Sequence, residues 1–199
     1  MYHSPMLATQ DLQPSSASFL SDDELMVRMR STRHLIDLQE LSFAEDAAEF
    51  ASRNAWDDEG SASAIDWMRF NCHMTSGAAA NSVAVGETMS RVPESTQAAF
   101  DREVGYSHLV ALARTARAVG DRFDEKALLE KARENSPGKF HFICNHYRHA
   151  ADPKGYAAEQ TEQVEQRELR LSTWMDGSLL ISGILDSIGG AALRSALEP

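Results

Sequence analysis

The stretch IDWMRFNCHMTSGAAANSVAVGETMSRVPESTQAAFDREVGYSHLVALARTA, residues 65–116, decides the fold, because it reads as helix, turn, helix, break, helix. An apolar segment ends near His73, and Thr75 and Ser76 supply hydroxyls that accept from the orphan N–H groups of a new helix start. Pro93 stops that second helix, since proline lacks the amide donor and clashes with the turn behind it. Gly105 followed by Ser107, read as an N-cap, opens the next helix, which runs to Gly120. Two short helices closed by a tight turn are the raw form of a helix-turn-helix.

Working back toward the start, residues 54–63 (NAWDDEGSAS) form a turn-rich linker. Before it, Ser21 and Glu24 have the spacing of a capping box. Leu25, Met29, Leu35, Leu38, Leu41 and Phe50 then recur at helical spacing, which predicts a long amphipathic helix from residue 22 to about 53. Its other face carries Asp37, Glu40, Glu45, Asp46 and Glu49. That face is expected to be solvated, and the sharper reading makes the helix an oligomerisation element or a lid mimicking nucleic acid. Residues 1–18 are polar and aperiodic, so a loose arm is expected there.

Working forward, Asp121 and Asp124 flank the start of a helix carrying Leu128, Leu129 and Ala132. Ser136-Pro137 begins another, with Phe140, Ile143, Cys144 and Tyr147 on one face, ended by Asp152-Pro153. A polar surface helix is expected at 156–166. Asp176-Gly177 between two apolar runs predicts a hairpin, because both central positions of the favoured turn need positive φ. Two strands alone are marginal in water, so the hairpin has to pack on the helices or join a sheet supplied from elsewhere. A small-residue helix at 188–197 closes the chain.

This layout resembles the 13E12-repeat family, also called domain of unknown function 222. The resemblance rests on Trp67, the small-residue run 78–90, Val92-Pro93 and Gly105-Tyr106-Ser107-His108. It is carried further by the end of the chain: Arg167-Glu168-Leu169, Asp176-Gly177, Gly183-Ile184-Leu185-Asp186 and the Gly-Ala-rich helix that follows. Asp152-Pro153-Lys154-Gly155 fits the family's connection between these parts. The order of helices is also similar, more distantly, to the helix-turn-helix of ParB-type partition proteins. Members are usually the N-terminal part of longer bacterial proteins that finish in an HNH nuclease domain. The resemblance therefore implies a DNA-associated helical module and names a C-terminal nuclease domain as a partner, while two cysteines and the lack of a basic-then-apolar start read as a cytoplasmic, reducing context.

The net charge of −11 hides an uneven distribution. Residues 1–66 hold 13 acids against 4 bases, residues 67–149 hold 9 against 11, and residues 150–199 hold 8 against 4. A nucleic-acid face is thus permitted only in the middle segment. A recognition helix at 78–91 offers Asn81, Ser82, Thr88 and Arg91, with Gln97 beyond. Family members carry more arginine there, so the expected phosphate contacts move to Arg114, Arg117, Arg122, Lys126, Lys131 and Arg133.

Other chemistries find little support. Two cysteines make no disulfide framework, and no apolar run is long enough to span a membrane. The pattern at 167–199 has the strands and helix of an HNH site but no histidine, so no nuclease activity is expected. His141, Cys144, His146 and His149 cannot all face one ion from a regular helix, even with Cys72 and His73 elsewhere. Neither nucleotide-binding fingerprint occurs.

The sequence therefore predicts a mostly α fold, a multi-helix bundle with a helix-turn-helix-like core and a C-terminal β-hairpin followed by a short helix. Its parts are a flexible arm (1–20), a long acidic helix and linker (21–64), a central helical domain (65–166) and the hairpin with its helix (167–199). The expected function is a non-catalytic DNA-associated accessory domain using Asn81, Arg91, Arg114, Arg117, Arg122 and Lys126, with no cofactor, metal or membrane. The alternative is an interaction or dimerisation module that self-associates through the N-terminal helix or the hairpin and binds no nucleic acid.

Overall fold

Ser21 and Glu24 close the capping box their spacing announces. The Ser21 amide donates to Glu24 Oε2 at 2.9 Å and the Glu24 amide donates back to Ser21 Oγ. From there α1 runs over Asp22–Ser52. The computed structural model describes residues 17–57, 59–155, 157, 168–173 and 177–197. The expected arm lies outside the described residues up to residue 16, and its end is a 3₁₀ turn, Ala17–Phe19, that leads into α1; the polar helix expected at 156–166 lies, but for residue 157, outside the described residues.

The buried stripe of α1 is Asp37, Leu41, Ala44 and Ala47, which corrects the expected one. Met29 and Leu35, read as core positions, are 65% and 60% exposed. Length explains this: 31 residues of α1 make a rod of about 46 Å, whereas the helix it lies on is about 20 Å long. Only the second half of α1 has something to pack on. Asp37, expected on the solvated face, is in the buried stripe instead.

The helix under α1 is α3 (Ser76–Thr88), preceded by α2 (Ala64–Asn71). His73, at φ +54, makes the turn between them, and Thr75 Oγ1 caps α3 by accepting from the Ala78 amide at 3.2 Å. Gly86 lets the two helices touch. A Cβ there would stand 2.0 Å from the Ala44 carbonyl oxygen.

Two of the expected helix boundaries need correction. Pro93 does more than stop α3, because it is the first residue of a separate helix, α4 (Pro93–Phe100). Proline is welcome there, since its missing donor has no partner in a first turn. The next helix, α5 (Tyr106–Val119), starts at an N-cap that is Gly105, and Ser107 is an exposed residue inside its first turn. Its cap is borrowed: the Tyr106 amide donates to Asp37 Oδ1, 69 residues away, at 3.1 Å.

Next come α6 (Glu125–Glu134), capped by Asp124, and α7 (Pro137–Ala151). Leu128, Leu129, Ala132, Phe140 and Cys144 are buried as their spacing predicts. They join Leu41, Val85, Leu109 and Leu112 in one core around α5. A second cluster, with Met68 buried and Phe50 and Trp67 in ring contact at 4.7 Å, fills the corner between α1, α2 and α3.

Beyond α7, β1 (Glu168–Thr173) pairs antiparallel with β2 (Leu179–Ile184), from Glu168 opposite Ile184 to Thr173 opposite Leu179. Gly177 takes φ +85 in the connection. Asp186 then caps the last helix, α8 (Ser187–Leu197), by accepting from the Gly189 amide at 2.7 Å. Leu171, Leu179, Ile184 and Ile188 stand exposed. The chain is thus a mostly α multi-helix bundle with a C-terminal hairpin and short helix. Among the described residues no helix is long and apolar enough to cross a membrane.

Candidate functional site

A helix that reads DNA bases must offer an open face to the groove. Helix α3 does not, because α1, α2 and α5 pack around it and bury Ala79, Ser82, Ala84, Val85 and Thr88. The expected recognition segment 78–91 is a core helix finished by a 3₁₀ turn at Met89–Arg91. Small residues in the run serve packing.

Helix α5 is buried nearly all round. Its open line is Ser107, Val110, Arg114 and Arg117, at spacings of three and four. Arg114 and Arg117 meet Arg148 of α7 in a shallow cleft of about 420 Å³, floored by Ala80, Asn81 and Ala84. Among the described residues, no carboxylate lines this cleft.

Asn81 is placed to orient rather than to bind. Its Oδ1 accepts from Arg114 Nε at 3.1 Å and from Nη2 at 2.7 Å. One edge of the Arg114 guanidinium is held, and its remaining donors are left for an anion. Glu87 approaches Arg117 at 3.7 Å, both side chains being at least half exposed. An exposed pair of that length contributes little and is readily exchanged for a phosphate.

The other expected residues fall elsewhere. Arg91 Nη2 donates to the Gly120 carbonyl at 3.4 Å. Arg122 donates to the Ala151 carbonyl at 2.6 Å and pairs with Asp152 at 3.2 Å, tying off the end of α7. Lys126 is exposed in the first turn of α6. Lys131 and Arg133 are engaged by Glu134 and Glu103. The structure therefore gathers Asn81, Arg114 and Arg117, and adds Arg148, which the sequence reading omitted. The available signal was its place one turn after Cys144, at the border of the buried face of α7.

Cys144 is buried on α7, one turn before Arg148. Burial pushes its thiol up to about 11, against weaker opposing effects from the Thr115 hydroxyl and the Arg148 charge. At pH 8 the nucleophilic thiolate is therefore scarce, and the side chain is out of reach. With a maleimide reagent, one of the two thiols, the partly exposed Cys72, should label in the native protein. Cys144 should label only after unfolding; rapid double labelling under native conditions would contradict this placement. Among the described residues, no three His, Cys, Asp or Glu side chains come together as a metal-holding group.

Comparison with family models, with curated proteins and with solved structures found no match for this chain.

Proposed function

We propose that this chain is a non-catalytic, DNA-associated accessory module, in keeping with its resemblance to the 13E12-repeat family, and that it holds the phosphate backbone at the Arg114–Arg117–Arg148 cleft. One observation carries the reading: three guanidinium groups from two helices line a single concave surface to which, among the described residues, no carboxylate contributes. Arginine suits the task because its planar fork matches phosphate oxygens in pairs. With α3 buried, base reading has no helix to use, so the module binds without sequence preference and positions whatever is attached to it.

Fluorescence anisotropy on a labelled generic duplex tests this. Two or three phosphate contacts give a log–log salt slope of about −2 to −3, at roughly 0.9 per contact. Arg114→Ala with Arg117→Ala should remove about two units of that slope and most of the binding. No binding at low salt, or binding unchanged in the double variant, would reject the reading.

A further inference from the structure

Arg102 stands where glycine is usual. It follows Asp101, the C-cap of α4, and takes φ +67. The Glu103 amide donates back to the Ala98 carbonyl at 2.9 Å and the Arg102 amide to the Ala99 carbonyl at 3.3 Å, the paired bonds of a Schellman ending. The left-handed residue of such an ending is most often glycine, because a Cβ crowds the carbonyl oxygen that follows. Arginine gains nothing locally from this position; what it contributes is a side chain.

That side chain lines a hollow of about 580 Å³ between the N-terminal, free half of α1 and the loop leading into α5. Arg30 and Arg33 of α1 line it too, so three guanidinium groups from two separate segments share one concave surface. Asp37 and Glu103 also border it, and each already has a cation. Asp37 accepts from Arg33 Nε at 3.1 Å, and Glu103 accepts from Arg133 Nε at 2.7 Å. Glu40 engages Arg33 as well. With Glu40 and Arg133 included, four cations meet three carboxylates. Among the described residues, Arg30 and Arg102 have no hydrogen bond or ion pair, so the surplus charge resides in them. Two histidines complete the polar lining. His34 is partly buried, and His108 has both ring nitrogens engaged, accepting from the Gly105 amide at 3.2 Å and donating to the Asn135 carbonyl at 2.9 Å.

We infer that this hollow binds the phosphoryl group of a small molecule, held between the forks of Arg30 and Arg102. Guanidinium forks match phosphate oxygens in pairs. The volume is that of a small-molecule site, for which about 300–1,000 Å³ is usual. A nucleic-acid backbone is the other source of phosphate, and the hollow suits it less. His108 precedes Arg117 by nine residues on α5, and at 100° per residue that is two and a half turns, so the two point to opposite sides of the helix. A duplex held at Arg114 and Arg117 therefore leaves the hollow open. Asp37 and Glu103 also repel a run of phosphates passing over them, whereas a single group fits between the free forks. The inference is thus independent of the Arg114–Arg117–Arg148 cleft.

Isothermal titration and thermal unfolding of the full chain with inorganic phosphate, at an ionic strength held constant with chloride, read the outcome. The Arg114→Ala/Arg117→Ala chain is the background, so that the other cleft contributes least. Phosphate should bind this chain saturably. Adding Arg30→Ala or Arg102→Gly should weaken the binding at least about tenfold, the loss of one charge-assisted contact. Arg102→Gly carries its own check on folding: without phosphate it should unfold about 2–4 °C higher, because glycine relieves the left-handed residue. Absence of saturable binding in the background chain overturns the proposal. So does binding to which both substitutions are indifferent, or an Arg102→Gly chain that unfolds lower, which would make the arginine a structural residue. A labelled duplex that still binds the background chain and is released by Arg102→Gly would give the hollow to the nucleic-acid backbone and overturn the small-molecule ligand.

Discussion

Gly86→Ala should destabilise the protein by about 2–3 kcal/mol, although alanine is the better helix former. In an open helix interior the change would favour folding by about 1 kcal/mol. Here the added Cβ would lie 2.0 Å from the Ala44 carbonyl oxygen, 2.7 Å from the Ala44 carbonyl carbon and 2.7 Å from the Ala48 Cβ. Those are mostly backbone atoms in the middle of α1, and backbone cannot rotate out of the way. The two helices must separate by about 1 Å, and a clash this close with backbone costs about 3–4 kcal/mol, at or above the top of the usual overpacking range. Steric cost therefore exceeds the propensity gain. Gly77→Ala on the same helix is the contrasting case, because nothing stands within 4 Å of a Cβ there. It should be neutral or stabilise by up to about 1 kcal/mol. Urea unfolding of both variants gives the comparison. At roughly 2–4 °C per kcal/mol for a chain of this size, Gly86→Ala should lose about 4–12 °C in Tm. If the two substitutions shift stability in the same direction, α1 and α3 do not touch as described.

What the sequence revealed and what it hid divides along one physical line. Features decided within a few residues were legible. The Ser21–Glu24 box, the Asp124 cap, the buried trio Leu128, Leu129 and Ala132, and the face of Phe140 and Cys144 all depend on neighbours three or four positions away. Features decided by a distant partner were not. Met29 and Leu35 have the same periodicity as Leu41, but periodicity does not say how long the opposing helix is. The cleft shows the same division: Arg114 and Arg117 share a helix and were read together, whereas Arg148 joins them only because α7 packs on α5. Asn81 has a polar side chain in a helix that reads as DNA-facing, and only the contact with Arg114 reveals its orienting role. Helices α4 and α5 are the sharpest case. Their N-caps are Val92 and Gly105, neither of which makes a side-chain cap. The missing acceptors come from other helices: Glu125 Oε1 takes the Ser95 amide at 2.6 Å, and Asp37 Oδ1 takes the Tyr106 amide.

That borrowed cap leads to the second large effect. Asp37→Ala should cost about 2–3 kcal/mol, far more than removal of a neighbouring carboxylate such as exposed Asp46, which should stay within about 0.5 kcal/mol. Asp37 is 7% exposed and serves two donors at once: the Tyr106 amide at 3.1 Å and Arg33, whose Nε donates at 3.1 Å. The amide contributes most. A helix N-terminus carries orphan N–H groups and a partial positive charge, and Gly105 has no side chain with which to answer them. Deleting the carboxylate leaves a buried donor unmet, at about 1–3 kcal/mol. The Arg33 pair adds less, because the Arg33 side chain is 53% exposed and Glu40 also engages it; screening by water reduces its share to well under 1 kcal/mol. The geometry also ranks the substitutions. Asp37→Asn keeps an acceptor for the Tyr106 amide and loses only charge, so it should recover about half of the deficit. Asp37→Glu keeps the charge but must place one more methylene beside Gly105, where a Cβ would already be 3.3 Å from Asp37 Oδ2. It should therefore do no better than Asn. Thermal unfolding of the three variants with Asp46→Ala measures the order. An Asp37→Ala protein as stable as Asp46→Ala would mean that α5 does not depend on α1 for its start. If the expected order holds, the contact that fixes α5 is the same one that anchors α1 where its free half leaves the bundle.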